Sequence, residues 1–180
     1  MNEILDNYEN RVSEALFGML REKRLVDERR MEMPDIEDKW KDICAAYLPD
    51  GMREYGGYPT VSLGWMMYVG MAVAHMWDDD WEKYSALENI YTHLRDVRGY
   101  DCMDEYISEE VLRIEGVINE QTARLVGDLA QAANSMLRRE PVEPGTAAAF
   151  HAYVRTLHQL YVAGAEVELH RLGYKMSRLQ

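Results

Sequence analysis

Residues 62–77 read SLGWMMYVGMAVAHMW and form the most apolar segment of this 180-residue chain. The apolar side chains cover every face of a helix instead of one stripe, and a helix of this kind is usually buried among other helices. Gly64 and Gly70 leave room for neighbouring helices to approach closely. The segment is also shorter than the roughly 20 residues that a membrane-spanning helix needs. We therefore expect it to be the central helix of a helical core.

The segments on both sides of this helix also carry apolar residues at helical spacing. Tyr84, Leu87, Tyr91 and Leu94 recur every three or four residues, and the alternation typical of strands is missing throughout the sequence. Nothing between residues 77 and 81 prevents the third and fourth predicted helices from forming one bent helix. The predicted helices cover residues 3–32, 35–48, 62–77, 80–97, 103–138 and 146–173.

Capping and turn residues indicate where these helices begin and end. Ser62 and Thr146 are suitable N-caps, and Pro34 ends the first helix. The sequence Pro49-Asp50-Gly51 predicts a turn, and the glycines after it predict a loop that continues to residue 59. The sequence therefore predicts an all-α fold. We expect a compact antiparallel bundle of five to six helices with a central apolar helix, in which residues 1–173 form one domain and residues 174–180 a C-terminal tail.

The overall charge excludes some partners. The chain has 32 acidic and 20 basic residues and a net charge of -12, which repels the phosphates of nucleic acids and anionic lipids. We therefore expect neither a nucleic acid nor a membrane as partner. The only cysteines, Cys44 and Cys102, form no disulfide framework. The N-terminus lacks the basic and apolar regions of a signal peptide, which predicts a cytoplasmic protein.

The acidic run at residues 75–82, HMWDDDWE, is the main candidate for a metal site. On a continuous helix His75, Asp78, Asp79 and Glu82 share one face. Helical bundles bind metal ions with such carboxylates and imidazoles when other helices supply further ligands. The run resembles the DDxxE metal motif of terpenoid synthases over five residues only, and no second magnesium motif accompanies it.

Other helices offer three polar residues that could complete such a site. Glu115, His158 and Glu168 lie on or beside apolar stripes, where a charge is costly unless it is paired or bound to metal. The alternative is that the aspartates end one helix and cap the next. Glu166 and His170, four residues apart, are expected to form a weak surface pair.

Three functions are consistent with these patterns. The first is a non-enzymatic helical binding or assembly module that binds another protein or a second copy of itself as a homodimer, because its 12 Tyr, 4 Trp and 12 Met are residue types enriched in interfaces. The second is a metal-dependent, hydrolase-like enzyme that uses the Asp/His/Glu cluster with a divalent metal ion. The third is a small-molecule pocket among the methionines of residues 66–76 and the tyrosines of residues 55–58. No other cofactor is predicted.

Overall fold

A computed structural model describes residues 2–175, and these residues form eight α-helices. The all-α fold predicted from the sequence is confirmed. Most of the tail predicted over residues 174–180 lies outside the described residues. The helices are α1 (Asn2–Glu22), α2 (Pro34–Asp38), α3 (Trp40–Tyr55), α4 (Pro59–Ser85), α5 (Ile90–Asp96), α6 (Met103–Tyr106), α7 (Gly116–Arg139) and α8 (Ala147–Arg171). Between α6 and α7 lies a short π-helical turn, Ile107–Val111.

The central apolar helix is α4, as the sequence predicts. Its most extensive contact is with α8, and the two backbones touch where each helix has a glycine. A Cβ atom on Gly70 would collide with the carbonyl oxygen of Tyr161, and one on Gly164 would collide with the carbonyl oxygen of Met67. Because only glycine leaves this space, the two positions set the distance between the helices.

The helix directions differ from those of a simple up-and-down bundle, in which neighbouring helices run antiparallel. α7 and α8 are joined by a short connection and run antiparallel, as short connections predict. α4 and α8, which are distant in sequence, run in the same direction. Contacts along the pair join Ser62 to Tyr153, Gly70 to Tyr161 and His75 to Glu168.

The first helix ends ten residues before the predicted end, since α1 ends at Glu22. Arg24 follows in the left-handed conformation, with a φ of 60°, and the backbone N–H of Leu25 donates to the carbonyl of Leu20 at 3.0 Å. These features terminate a helix. The segment after them folds back onto the core, where Val26 and Met33 are buried.

The predicted turn at Pro49-Asp50-Gly51 is wrong, because α3 continues through it to Tyr55. Gly51 lies against the ring of Tyr47 and the hydroxyl of Tyr153, where a Cβ atom would not fit. Asp50 accepts a hydrogen bond from the hydroxyl of Tyr91 at 2.7 Å. These contacts outweigh the low helical preference of proline and glycine.

Ser62 is also not the N-cap that the sequence predicts, because α4 already begins at Pro59. Proline suits the first helical turn, where its missing N–H costs nothing. The hydroxyl of Ser62 is instead buried and donates to the carbonyl of Gly51 at 2.7 Å. Thr146 does cap α8, since its hydroxyl accepts from the N–H of Ala149 at 3.2 Å.

The predicted helix over residues 103–138 is broken in the structure. After the π-helical turn, Arg113 and Gly116 adopt positive φ values of 55° and 64°, which a continuous helix does not allow. The apolar stripe that crosses this break is nevertheless buried on both sides, at Ile107 and Leu125. Its regular spacing therefore predicts one helix and gives no sign of the break.

The apolar side chains of these helices form one continuous core around α4 and α8. Met66, Met67, Met71 and Met76 are at most 3% exposed, so the methionines of this segment are core residues and line no open pocket. No helix among residues 2–175 is long and apolar enough to cross a membrane.

Alanine substitutions test the close contact between α4 and α8. Gly70→Ala and Gly164→Ala force the two backbones apart, and we expect each to lower the free energy of unfolding by about 3 kcal/mol or more. Gly127→Ala on α7 is the control, because a Cβ atom there meets no other atom within 4 Å. We expect this control to raise the stability by roughly 0.5–1 kcal/mol. Urea denaturation measures all three, and equal stabilities for the α4 and α8 variants and the wild-type protein would contradict this description of the contact.

Candidate functional site

The acidic run on α4 contains a kink, and an aspartate of the run caps the helical segment that follows. Asp80 has a φ of -160° and a ψ of 80°, and these values lie outside the helical region. Its carboxylate accepts a hydrogen bond from the backbone N–H of Lys83 at 3.2 Å. The regular helical spacing that would place Glu82 on the face of His75 is therefore interrupted at Asp80. The alternative interpretation of the run, in which an aspartate caps the next helical segment, therefore agrees with the structure.

Two of the polar residues considered for the metal site, His75 and Glu168, contact each other. His75 Nδ1 lies 2.8 Å from a carboxylate oxygen of Glu168, and this carboxylate is 1% exposed. The guanidinium of Arg171 donates to both oxygens of Glu168, at 2.7 and 2.6 Å. A buried carboxylate is stabilised by such pairing. The pair therefore fixes the half-buried ring of His75.

His158 belongs to a different cluster. Its Nε2 lies 2.8 Å from Glu37 and its Nδ1 lies 3.3 Å from Glu9, while its ring stacks on Trp40 with centroids 4.8 Å apart. Burial lowers the pKa of His158, but the two carboxylates outweigh it and raise this pKa to about 9. Arg155 also donates to Glu9, at 3.2 Å. A protonated His158 therefore joins α1, α2 and α8.

The remaining metal candidates lie apart from these clusters. Asp78, Asp79 and Glu82 are exposed, and Asp78 accepts a hydrogen bond from the hydroxyl of Tyr174. Glu115 does not lie on an inner stripe, because it is the exposed N-cap residue of α7. Within residues 2–175 no group of three or more His, Cys, Asp or Glu side chains is placed to hold a metal ion. The structure thus brings together only His75 and Glu168 among the residues considered for the metal site.

The expected surface pair of Glu166 and His170 is also corrected. Glu166 is 1% exposed and accepts a hydrogen bond from Arg30 at 2.8 Å. Burial raises the pKa of Glu166, and the charge of Arg30 opposes this effect. His170 instead faces Asp27, 3.7 Å away. The loop after α1 therefore supplies the partners of both residues, and sequence spacing along α8 could not reveal this.

A cleft of about 680 Å³ opens at the end of the bundle where α3 ends and α8 begins. We call it the apolar cleft. Its walls come from the last turns of α3 and α7, the connection between α7 and α8, and the first turns of α8. The lining residues are Met52, Tyr55, Gly56, Pro59, Leu137, Arg138, Glu140, Val142, Pro144, Gly145, Thr146, Ala149, Phe150 and Tyr153.

The tyrosines of the apolar cleft contribute ring surface, because their hydroxyls have partners within the protein. Tyr55 donates to the side chain of Asn134 at 2.9 Å, and the hydroxyl of Tyr153 pairs with that of Ser62. The two rings lie with their centroids 5.2 Å apart. Burial raises the pKa of Tyr153 above its ordinary value, so the hydroxyl stays protonated. The cleft therefore presents a mostly apolar surface.

Two charged residues line the apolar cleft. Glu140 is paired with Arg11, whose guanidinium donates to it at 2.6 Å. Arg138 is exposed, and no carboxylate of the described residues lies within ion-pair distance of it. The cleft thus combines an apolar surface with one cation available to a ligand.

The sequence predicts only part of this cleft. The tyrosines of residues 55–58 are candidates for a small-molecule pocket, but no residue of the last helix is predicted to line it. Phe150 lies in the first turn of α8 and is only half-buried. Helical periodicity predicts an apolar stripe, but it does not show where the neighbouring helix that covers the stripe ends. The only signal in the sequence is that the apolar stripe continues to the end of its own helix.

Comparison with known proteins finds no family model, no curated protein sequence and no solved structure that matches this chain.

Changing the pH tests the cluster around His158. The pKa of His158 rises from 6.5 to about 9 on folding, so the folded protein holds the extra proton between these two values. The stabilisation is complete below pH 6.5 and is lost as the pH rises through about 9, by about 3 kcal/mol. We expect urea denaturation to show that the free energy of unfolding falls by this much more for the wild-type protein than for His158→Gln. The same pH dependence in both proteins would show that Glu9 and Glu37 do not hold the proton.

Proposed function

We propose that the protein is a helical binding module whose apolar cleft receives bulky apolar side chains of a partner protein. The observation that carries this proposal is the cleft itself, a space of about 680 Å³ lined mostly by apolar and aromatic residues. The side chains that contribute most to a protein interface are typically bulky anchors that fill such a pocket.

The surface around the cleft supports a protein ligand. Met52, at the edge of the cleft, is 50% exposed, and Tyr58, three residues after Tyr55, is 67% exposed. Methionine adapts its shape to an incoming surface, and both residue types are enriched in interfaces. Large apolar residues left this exposed near a concave site are therefore consistent with a surface that a partner covers.

The charge at the cleft specifies the partner further. Because Arg138 has no ion-pair partner among the described residues, we expect an acidic residue beside the apolar anchor of the partner. An exposed pair of this kind contributes up to about 1 kcal/mol and orients the ligand more than it strengthens binding.

A small apolar molecule is the second candidate ligand. The volume of the cleft lies within the range of about 300–1,000 Å³ that is typical of small-molecule sites. Native mass spectrometry of the purified protein separates the two candidates, because a bound small molecule adds a defined mass to the chain.

Photo-cross-linking in the cells that produce the protein tests the proposal. A benzophenone amino acid replaces Met52 in the cleft or, as the control, the exposed Lys41 on the same helix. We expect irradiation to give a discrete cross-linked protein with the probe at residue 52 and none with the probe at residue 41. The substitution Ala149→Trp fills the cleft and should abolish the product. The control Ala147→Trp changes an exposed residue of the same helix that does not line the cleft, and it should not abolish the product.

Three results would count against the proposed partner. The same products from both probe positions, or no product at residue 52, would contradict binding in the cleft. A product of twice the chain mass would show that the partner is a second copy of this chain and not a separate protein.

A further inference from the structure

A second cleft, of about 560 Å³, lies at the opposite end of α7, between the residues that follow α1 and the last turns of α8. We call it the basic cleft. Four of its lining residues are lysine or arginine and only one, Asp128, is acidic. Its basic residues are Lys23, Arg24, Arg124 and Arg171. This balance is the reverse of that of the whole chain, whose net charge is -12.

Three of these cations have no partner among the described residues. Arg171 is held by Glu168. For Lys23, Arg24 and Arg124 no carboxylate of residues 2–175 lies within ion-pair distance. Like charges gathered in one cleft repel one another, and a bound anion relieves this repulsion.

The backbone at Arg24 is a further feature of the basic cleft. Its φ of 60° lies in the left-handed region, which glycine or asparagine adopts at lower cost. The sequence thus has an arginine where the backbone favours a smaller residue, and this arginine lines the cleft.

Four other lining residues are apolar, and Gln121, Thr122 and His170 are polar. The apolar residues are Leu25, Ile118, Leu125 and Val167, and Ile118 is 54% exposed. A simple inorganic anion would leave this apolar surface in water, whereas a ligand with an apolar body would cover it.

We propose that the basic cleft binds a small amphipathic anion, which is an apolar body that carries a carboxylate, sulfonate or phosphate group. The anionic group lies among Lys23, Arg24 and Arg124, and the apolar body covers Ile118 and its neighbours. This site is separate from the apolar cleft, and the proposal does not depend on the proposed protein partner.

Two dyes with the same apolar body provide the test. The probe is 8-anilinonaphthalene-1-sulfonate, and N-phenyl-1-naphthylamine is its neutral analogue without the sulfonate. We expect the sulfonate to bind the full-length protein more tightly than the neutral dye. Raising the salt concentration should weaken the binding of the sulfonate only, because salt screens the exposed cations.

Charge variants locate the site. Lys23→Gln with Arg124→Gln removes two cations of the basic cleft, and Lys41→Gln with Arg139→Gln removes two exposed cations elsewhere. The first double variant should bind the sulfonate roughly tenfold more weakly, and the second should bind it like the wild-type protein. Circular dichroism shows whether both variants keep their helices. Equal binding of the sulfonate by both variants would overturn the proposal.

Methyl NMR spectra of the bound protein give an independent readout. The sulfonate should shift the methyl signals of Leu25, Leu125 and Val167, which line the basic cleft. Shifts centred on Leu137 and Val142 would place the dye in the apolar cleft instead, and this result would overturn the proposal without affecting the test of the protein partner.

Discussion

The close contact between α4 and α8 is the constraint on which the rest of the structure depends. Gly70 and Gly164 allow the two backbones to touch, and any larger residue would push them apart. The helices carry the largest share of the core around this contact. Since protein interiors pack at high density, a change in this distance would spread to every helix that packs against the pair.

α8 also connects the contact to the polar clusters and to both clefts. Its first turns form one wall of the apolar cleft, and its last turns line the basic cleft. Between them, His158, Glu166 and Glu168 bind partners from α1, α2, the loop after α1 and α4. These partners restrain α8 at three points along its length. The two clefts are therefore held in place by one long, well-anchored helix.

The sequence predicted the parts of the fold that depend on local patterns. The apolar segment at residues 62–77 gave the central helix, and Thr146 gave the start of α8. The predictions failed where tertiary contacts prevail, as at Asp50 and Gly51. These residues lie inside a helix, where Tyr91 donates to Asp50 and the hydroxyl of Tyr153 lies beside Gly51. The predicted metal-binding face assumed a straight helix through residues 75–82, and Asp80 leaves the helical region there. Both clefts join residues far apart in sequence, so no single stretch could reveal them.

Hydrogen exchange followed by NMR tests most directly whether the α4–α8 pair is the most stable part of the protein. We expect the slowest amides at residues 67–73 of α4 and 160–166 of α8, where exchange requires global unfolding. Amides of the connection at residues 140–146 and of the short helix α6 should exchange faster by several orders of magnitude. Exchange around Gly70 and Gly164 that is as fast as in that connection would show that the two helices separate readily, and this would contradict their role as the scaffold of both clefts.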